Sequence, residues 1–257
     1  MMKYFFSFQN SLFTLLSYRT NFWVRIFTTL LSIGMSVFMW QAIYKFSGQE
    51  TVAGIGQANM SLYLVIVNIL TLVFSTEPIF RLSALIRSGN LSVMLLRPVN
   101  ILMQGFFEYL GRSFPYLLIY MGVFWVVKPI SNLLVGLGSL GLFLTIYVMF
   151  YMLVTLMGLS SFWLIQIWPM QPVFNACFFL LGGQLFPLQV LPKNFRWLLY
   201  NPFSLAGNQL TMLSIGDMSE EEFFRSFLWA LIWILLLGVL IHLFWKRGNL
   251  RYEGVGM

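Results

Sequence analysis

Long apolar runs alternate along this chain with short stretches that hold nearly all of its charge. Six runs stand out, at about residues 22–44, 60–74, 106–127, 143–167, 173–186 and 224–245. A helix of about 20 apolar residues crosses the ~30 Å hydrocarbon core of a bilayer. Within that core a single segment satisfies its own backbone only as a helix. The runs therefore predict an all-α polytopic membrane protein with six transmembrane helices, organised as one transmembrane domain over residues 1–257. The fifth run is short and meets Pro187, Pro192 and Pro202 in a mixed apolar and polar stretch. Residues 187–213 are too broken for a span and too apolar for a free loop, which predicts a re-entrant or external helical hairpin completing the fifth span.

Ahead of the first run, residues 1–20 read as an amphipathic interfacial helix. Phe5, Phe8, Leu12, Leu15 and Leu16 fall on one side, with Ser7, Asn10, Ser11 and Thr14 opposite. No small-residue cleavage site follows, so the segment does not read as a signal peptide. Gly136, Gly138 and Gly141 mark an entry segment before the fourth run. Residues 76–100 form a charged stretch that starts as helix, breaks at Gly89-Asn90 and stops at Arg97-Pro98.

Composition fixes the class. A chain 59% hydrophobic and 9% charged, with mean hydropathy +0.82, is no ordinary soluble domain. Of its 15 Lys and Arg residues, ten fall on one face if the six runs cross: Lys3, Arg19, Arg25, Arg81, Arg87, Arg97, Arg112, Lys246, Arg247 and Arg251. That face carries net +7 and the other net zero, which predicts N and C termini in the cytoplasm. The same bias accounts for the whole net charge of +7, so nucleic acid is not an expected partner, whereas anionic membrane lipid is.

Chemistry is sparse. The only cysteine, Cys177, and the only histidine, His242, lie in or at the end of apolar runs and have no companions for metal binding. No phosphate loop, zinc-protease motif or nucleophile elbow is present, so the chain carries no expected catalytic, cofactor or metal residues. No run has an ionisable residue at its centre, which argues against an ion-coupled transporter. Uncharged polar residues remain within the runs: Asn68, Thr71, Gln166, Asn175 and Gln184. They either line a substrate route or hydrogen-bond between helices. Glu108 and Arg112, four apart, are expected to pair along one helix face at the interface, or to act in a conformational switch.

Three stretches carry a family likeness. The first is Ile86-Arg-Ser-Gly-Asn-Leu-Ser-Val-Met-Leu-Leu-Arg97-Pro98-Val99; the second is Gly182-Gly183-Gln-Leu-Phe-Pro187-Leu-Gln-Val-Leu-Pro192 with Asn201-Pro202-Phe203. The third is the tail Trp245-Lys-Arg-Gly-Asn-Leu-Arg-Tyr252-Glu-Gly254-Val-Gly256. With the six-span layout, they resemble the membrane subunit of type-2 ABC transporters, the small bacterial permeases that work with a separate ATPase. The resemblance implies that residues 76–100 hold a coupling helix docking on the ATPase, through Arg87, Gly89, Leu91, Leu95, Leu96, Arg97 and Pro98. Against this stands the plainer reading that the arginines only set topology and bind lipid headgroups.

It further implies an external gate at Gly182, Gly183, Pro187, Pro192, Asn201 and Pro202. Two ABC ATPase subunits would carry the ATP and Mg, and a second permease, identical or paralogous, would complete the complex in the bacterial cytoplasmic membrane. Export of an amphipathic or hydrophobic substrate is the expected activity. The alternative is a non-transporting membrane immunity or scaffold protein with a transporter-like body.

Overall fold

The computed structural model describes residues 2–52, 55–129, 133–164 and 166–252. It is almost wholly helical. Helix α1 (Met2–Ser17) leads into α2 (Arg19–Ser47), and a two-residue hairpin of β1 (Thr51–Val52) and β2 (Ile55–Gly56) joins α2 to α3 (Gln57–Val73). Helices α4 (Glu77–Arg87) and α5 (Asn90–Leu95) precede α6 (Ile101–Val127) and α7 (Leu133–Leu159). Then come α8 (Met170–Leu181), two 3₁₀ stretches (Leu188–Val190 and Lys193–Tyr200), α9 (Pro202–Ser204), a π-helical turn (Leu205–Gln209), α10 (Leu210–Ile215) and α11 (Glu220–Arg251).

Among the described residues, five helical runs are long and apolar enough to cross a bilayer: Arg19–Ser47, Gln57–Arg87, Ile101–Val127, Leu133–Phe162 and Glu220–Arg251. The sixth expected span is not one of them. In its place stands α8, whose 12 residues extend only ~18 Å at 1.5 Å per residue. Its apolar sequence continues to Phe186, but the backbone turns away at Gly182-Gly183, where Gly183 has φ +78°. A second boundary also moves. The glycines at 136, 138 and 141 do not mark a separate entry segment: α7 runs through them from Leu133 and ends at Leu159, short of the expected 167.

Side-chain contacts fix the directions of the spans. Gly138 faces Phe223, Gly238 faces Met152 and Gly248 faces Phe162, so α7 and α11 run parallel. The chain between them must return across the bundle, and it does so in pieces. Phe174 and Phe178 of α8 pack on Phe150 in the middle of α7. The 3₁₀ stretch ending at Tyr200 dips to Trp233, whose indole N–H donates to the Tyr200 carbonyl at 2.8 Å. From there α9, the π turn and α10 climb back until Lys128 Nζ reaches the Leu213 carbonyl at 3.2 Å.

At the opposite end of the bundle three segments meet. Lys3 Nζ donates to the Pro98 carbonyl at 3.0 Å, the Asn100 amide donates to Tyr4 Oη at 3.3 Å, and Ser92 Oγ lies 3.4 Å from Tyr252 Oη. The start of α1, the loop after α5 and the end of α11 therefore share one face. Residues 253–257, including Gly254 and Gly256 of the tail motif, lie outside the described residues.

The expected two-faced pattern of α1 is only half realised. Phe8 and Leu15 pack inward, but Phe5, Phe6, Phe13 and Leu16 stay exposed, and Ser11, expected on the polar side, is the residue that is buried. The cause is close approach. Gly111 of α6 presses against the Phe8 carbonyl and the Ser11 Cβ, leaving no room for a side chain between the two helices. Small residues admit such contacts where apolar burial gives helices no preference for each other over lipid. The centre of the molecule is aromatic, with Phe74, Tyr109, Tyr120, Phe143, Tyr147 and Phe150 in one buried cluster.

Candidate functional site

Three regions hold most of the residues singled out by sequence: the 76–100 segment, a cleft beside α2 and α8, and the broken stretch after α8.

The 76–100 segment is two short helices set at an angle by one residue. Gly89 sits at φ +73°, a left-handed conformation that side chains with a Cβ resist, and α5 begins immediately after it. One side of the segment is anchored. Leu91 is fully buried in a cluster with Leu82, Ile86, Ile101, Leu159, Phe162 and Ile241. This corrects the expectation that Leu91 contacts a partner: it fastens α5 to the spans instead. The other side is bare. Val93 and Leu95 are exposed and Leu96 is 87% exposed, between the exposed Arg87 and Arg97. Pro98 closes the segment and gives its carbonyl to Lys3.

The pair expected between Glu108 and Arg112 does not form. Both residues reach across to α4 instead. Arg81 grips Glu108 with two guanidinium nitrogens, Nε on Oε2 and the second on Oε1 at 3.1 Å, and Gln104 Nε2 donates to the same Oε1 at 2.8 Å. Arg112 pairs with Glu77 at 3.1 Å. The reason is that α4 also carries opposite charges four residues apart, so two cross-helix pairs replace one i,i+4 pair. The planar guanidinium fork, bound at two points, makes Arg81–Glu108 the stronger of the two.

The cleft has a volume of about 820 Å³ and runs beside α8. Phe74, Phe174, Phe178 and Phe179 form its apolar wall. Three expected polar residues, Thr71, Asn175 and Gln184, open onto it, and Gln184 Nε2 donates to Asn68 Oδ1 at 2.9 Å. Gln166 does not join them. It is exposed outside any helix, because α7 stops before reaching it. Arg25 also lines the cleft, although its place at the start of the first apolar run marks it only as one more topological charge.

The broken stretch is tightly tied. Trp40 of α2 donates to the Leu185 carbonyl at 2.9 Å, and the Tyr63 hydroxyl of α3 lies 2.7 Å from the Gly183 carbonyl and 2.9 Å from Asn208 Oδ1. Asn201 caps α9, its Oδ1 accepting from the amides of Phe203 and Ser204 at 2.8 and 2.9 Å, while its Nδ2 donates to the Leu181 carbonyl at 3.3 Å. Gly182, Gly183, Pro187 and Pro202 are buried, whereas Pro192 is exposed. Tyr63 and Asn208 bind this stretch together and had given no sequence signal, since each is a single polar residue in an apolar or mixed run.

Compared with known proteins, residues 30–256 match the family model of the ABC-2 family transporter proteins. No curated protein and no solved structure matches the chain.

Proposed function

The chain belongs to the ABC-2 family of transporter proteins and is the membrane subunit of an ABC transporter, and on that premise we propose that it exports an amphipathic or hydrophobic substrate, energised by a separate ABC ATPase docked on the α4–α5 segment. The ATPase would hold the ATP and Mg, and this chain no nucleotide. Two permeases and two ATPases would form the complex, with the termini and the α4–α5 segment in the cytoplasm of a bacterial cell.

One observation carries the docking assignment: an apolar tip on a rigid mount. Leu96 is 87% exposed, next to exposed Leu95, and both lie outside the long apolar runs, between Arg87 and Ile101. Exposed apolar surface rimmed by charge marks a binding surface. A cation needed only for topology requires no such tip, and no left-handed glycine to aim it. Movement of the ATPase would pass through α4 to α6 by the Arg81–Glu108 and Arg112–Glu77 pairs, and through α4 packed on Gly158 of α7. The cleft beside α8 supplies an amphipathic route, and the tied stretch after it would be its external gate.

The test is ATPase stimulation. Leu96→Asp should insert and pair its helices normally yet lose at least about tenfold in stimulation of the co-expressed ATPase, on the scale of a hot-spot residue. Full stimulation by Leu96→Asp together with Leu95→Asp would remove the docking assignment.

A further inference from the structure

Among the described residues Arg25 is the one cation on the cleft's lining; the acid that also lines it, Glu77, is taken up by Arg112 at 3.1 Å. The guanidinium is held in place without a carboxylate. It lies over the Tyr116 ring, 4.9 Å from the centroid, and one of its nitrogens donates to the Leu72 carbonyl at 3.2 Å. Among the described residues no acid forms an ion pair with it. Five N–H donors are available to an arginine, and a half-buried charge without a counter-ion is costly next to an apolar medium. A charge that served topology alone would gain nothing from being fixed by a ring and a carbonyl.

We propose that this cleft binds an amphiphile with an anionic headgroup: Arg25 receives the phosphate or carboxylate, and Phe74, Phe174, Phe178 and Phe179 receive the chain. A planar guanidinium matches the two oxygens of such an anion, and about 820 Å³ falls in the range of cavities that enclose organic ligands. Thr71, Asn175 and Gln184 lie along the same wall and offer neutral hydrogen bonds without a second charge. That this amphiphile is cargo rests on the transporter reading; that it binds does not.

The experiment is native mass spectrometry of the purified chain released from nanodiscs that contain phosphatidylcholine, phosphatidylethanolamine and phosphatidylglycerol with identical acyl chains. The wild type should retain phosphatidylglycerol in preference to both zwitterionic lipids. Arg25→Gln should reduce that preference about tenfold, the scale of one charge-assisted hydrogen bond. Arg25→Lys, which keeps the charge but loses the two-point fork, should keep only part of it, and Arg247→Gln, which removes a cation of the tail, should keep all of it. Phe179→Ser should weaken retention of dioleoyl but not dihexanoyl phosphatidylglycerol. Equal retention of the three lipids, an equal loss with Arg247→Gln, or displacement by inorganic phosphate at the lipid's own concentration would overturn the assignment, the last by revealing a free-anion site. The readout uses neither ATP nor a partner, so failure of ATPase stimulation and failure of this binding are separate results.

Discussion

Glu108 has Arg112 one helical turn away on its own helix, yet it binds Arg81 of α4. Position relative to solvent explains the choice. The Arg81 and Glu108 side chains are 21% and 20% exposed, whereas those of Arg112 and Glu77 are 44% and 40% exposed. A pair shielded from water is screened less, and leaving one member behind costs more. Glu108→Gln should therefore lower stability by about 2 kcal/mol, between the exposed and buried limits, and Glu77→Gln by less than about 1 kcal/mol. Thermal unfolding in detergent measures both, and an Arg81→Glu, Glu108→Arg exchange should recover part of the loss. Equal effects at the two sites would show that burial does not rank them. Individual charges were legible in the sequence, but their partners were not. An i,i+4 spacing permits a pair without excluding a better one on a neighbouring helix, and only the packing of α4 on α6 decides. Arg25 was hidden for the same reason, since its ring and carbonyl contacts come from α6 and α3.

Elements followed from sequence where a strong local signal acted alone. The Gly89-Asn90 break and the Arg97-Pro98 stop bracket α5 because a left-handed glycine and a proline act on their own backbone. The fifth span followed less well. Its apolar run reads through to Phe186, but α8 ends at Leu181, where Gly182 and Gly183 pack against Gly207 and Asn208 of the π turn and against Tyr63, contacts that no local pattern encodes. The burial of Ser11 against Gly111 was equally invisible, since a serine marks a polar face until a glycine on another helix brings the backbones together. Gly89 offers an element-level test. Gly89→Val forces a β-branched residue into left-handed backbone, at about 1–2 kcal/mol, and should re-aim the exposed end of α5 while Leu91 remains seated. The expected result is correct membrane insertion with ATPase stimulation reduced as strongly as by Leu96→Asp. Normal stimulation by Gly89→Val would mean that the angle between α4 and α5 is not what presents the tip.

Taken whole, the molecule has one end where the start of α1, the α5 loop and the end of α11 converge, and an incomplete wall along α2. Helix α2 buries only Trp40 and Tyr44, and much of the rest of its length, including Phe27, Leu30, Met35 and Phe38, is exposed. In the paired arrangement proposed above, a second permease would cover part of that surface and lipid the rest. The all-helical membrane class was legible from hydropathy alone, because a bilayer leaves a spanning segment few alternatives. The class of partner, an ABC ATPase, followed from the family resemblance, but which residues of the short loop stand free to meet it did not, because the burial of Leu91 and the exposure of Leu96 depend on how α5 packs on the spans. The most direct test is affinity purification of the tagged chain in mild detergent, with every co-purifying protein identified and counted. The account predicts a stoichiometric soluble ABC ATPase, with a second permease copy or paralogue in the same complex. Recovery of the chain alone, from cells in which a candidate ABC ATPase is demonstrably expressed, would contradict it and favour a scaffold or immunity role.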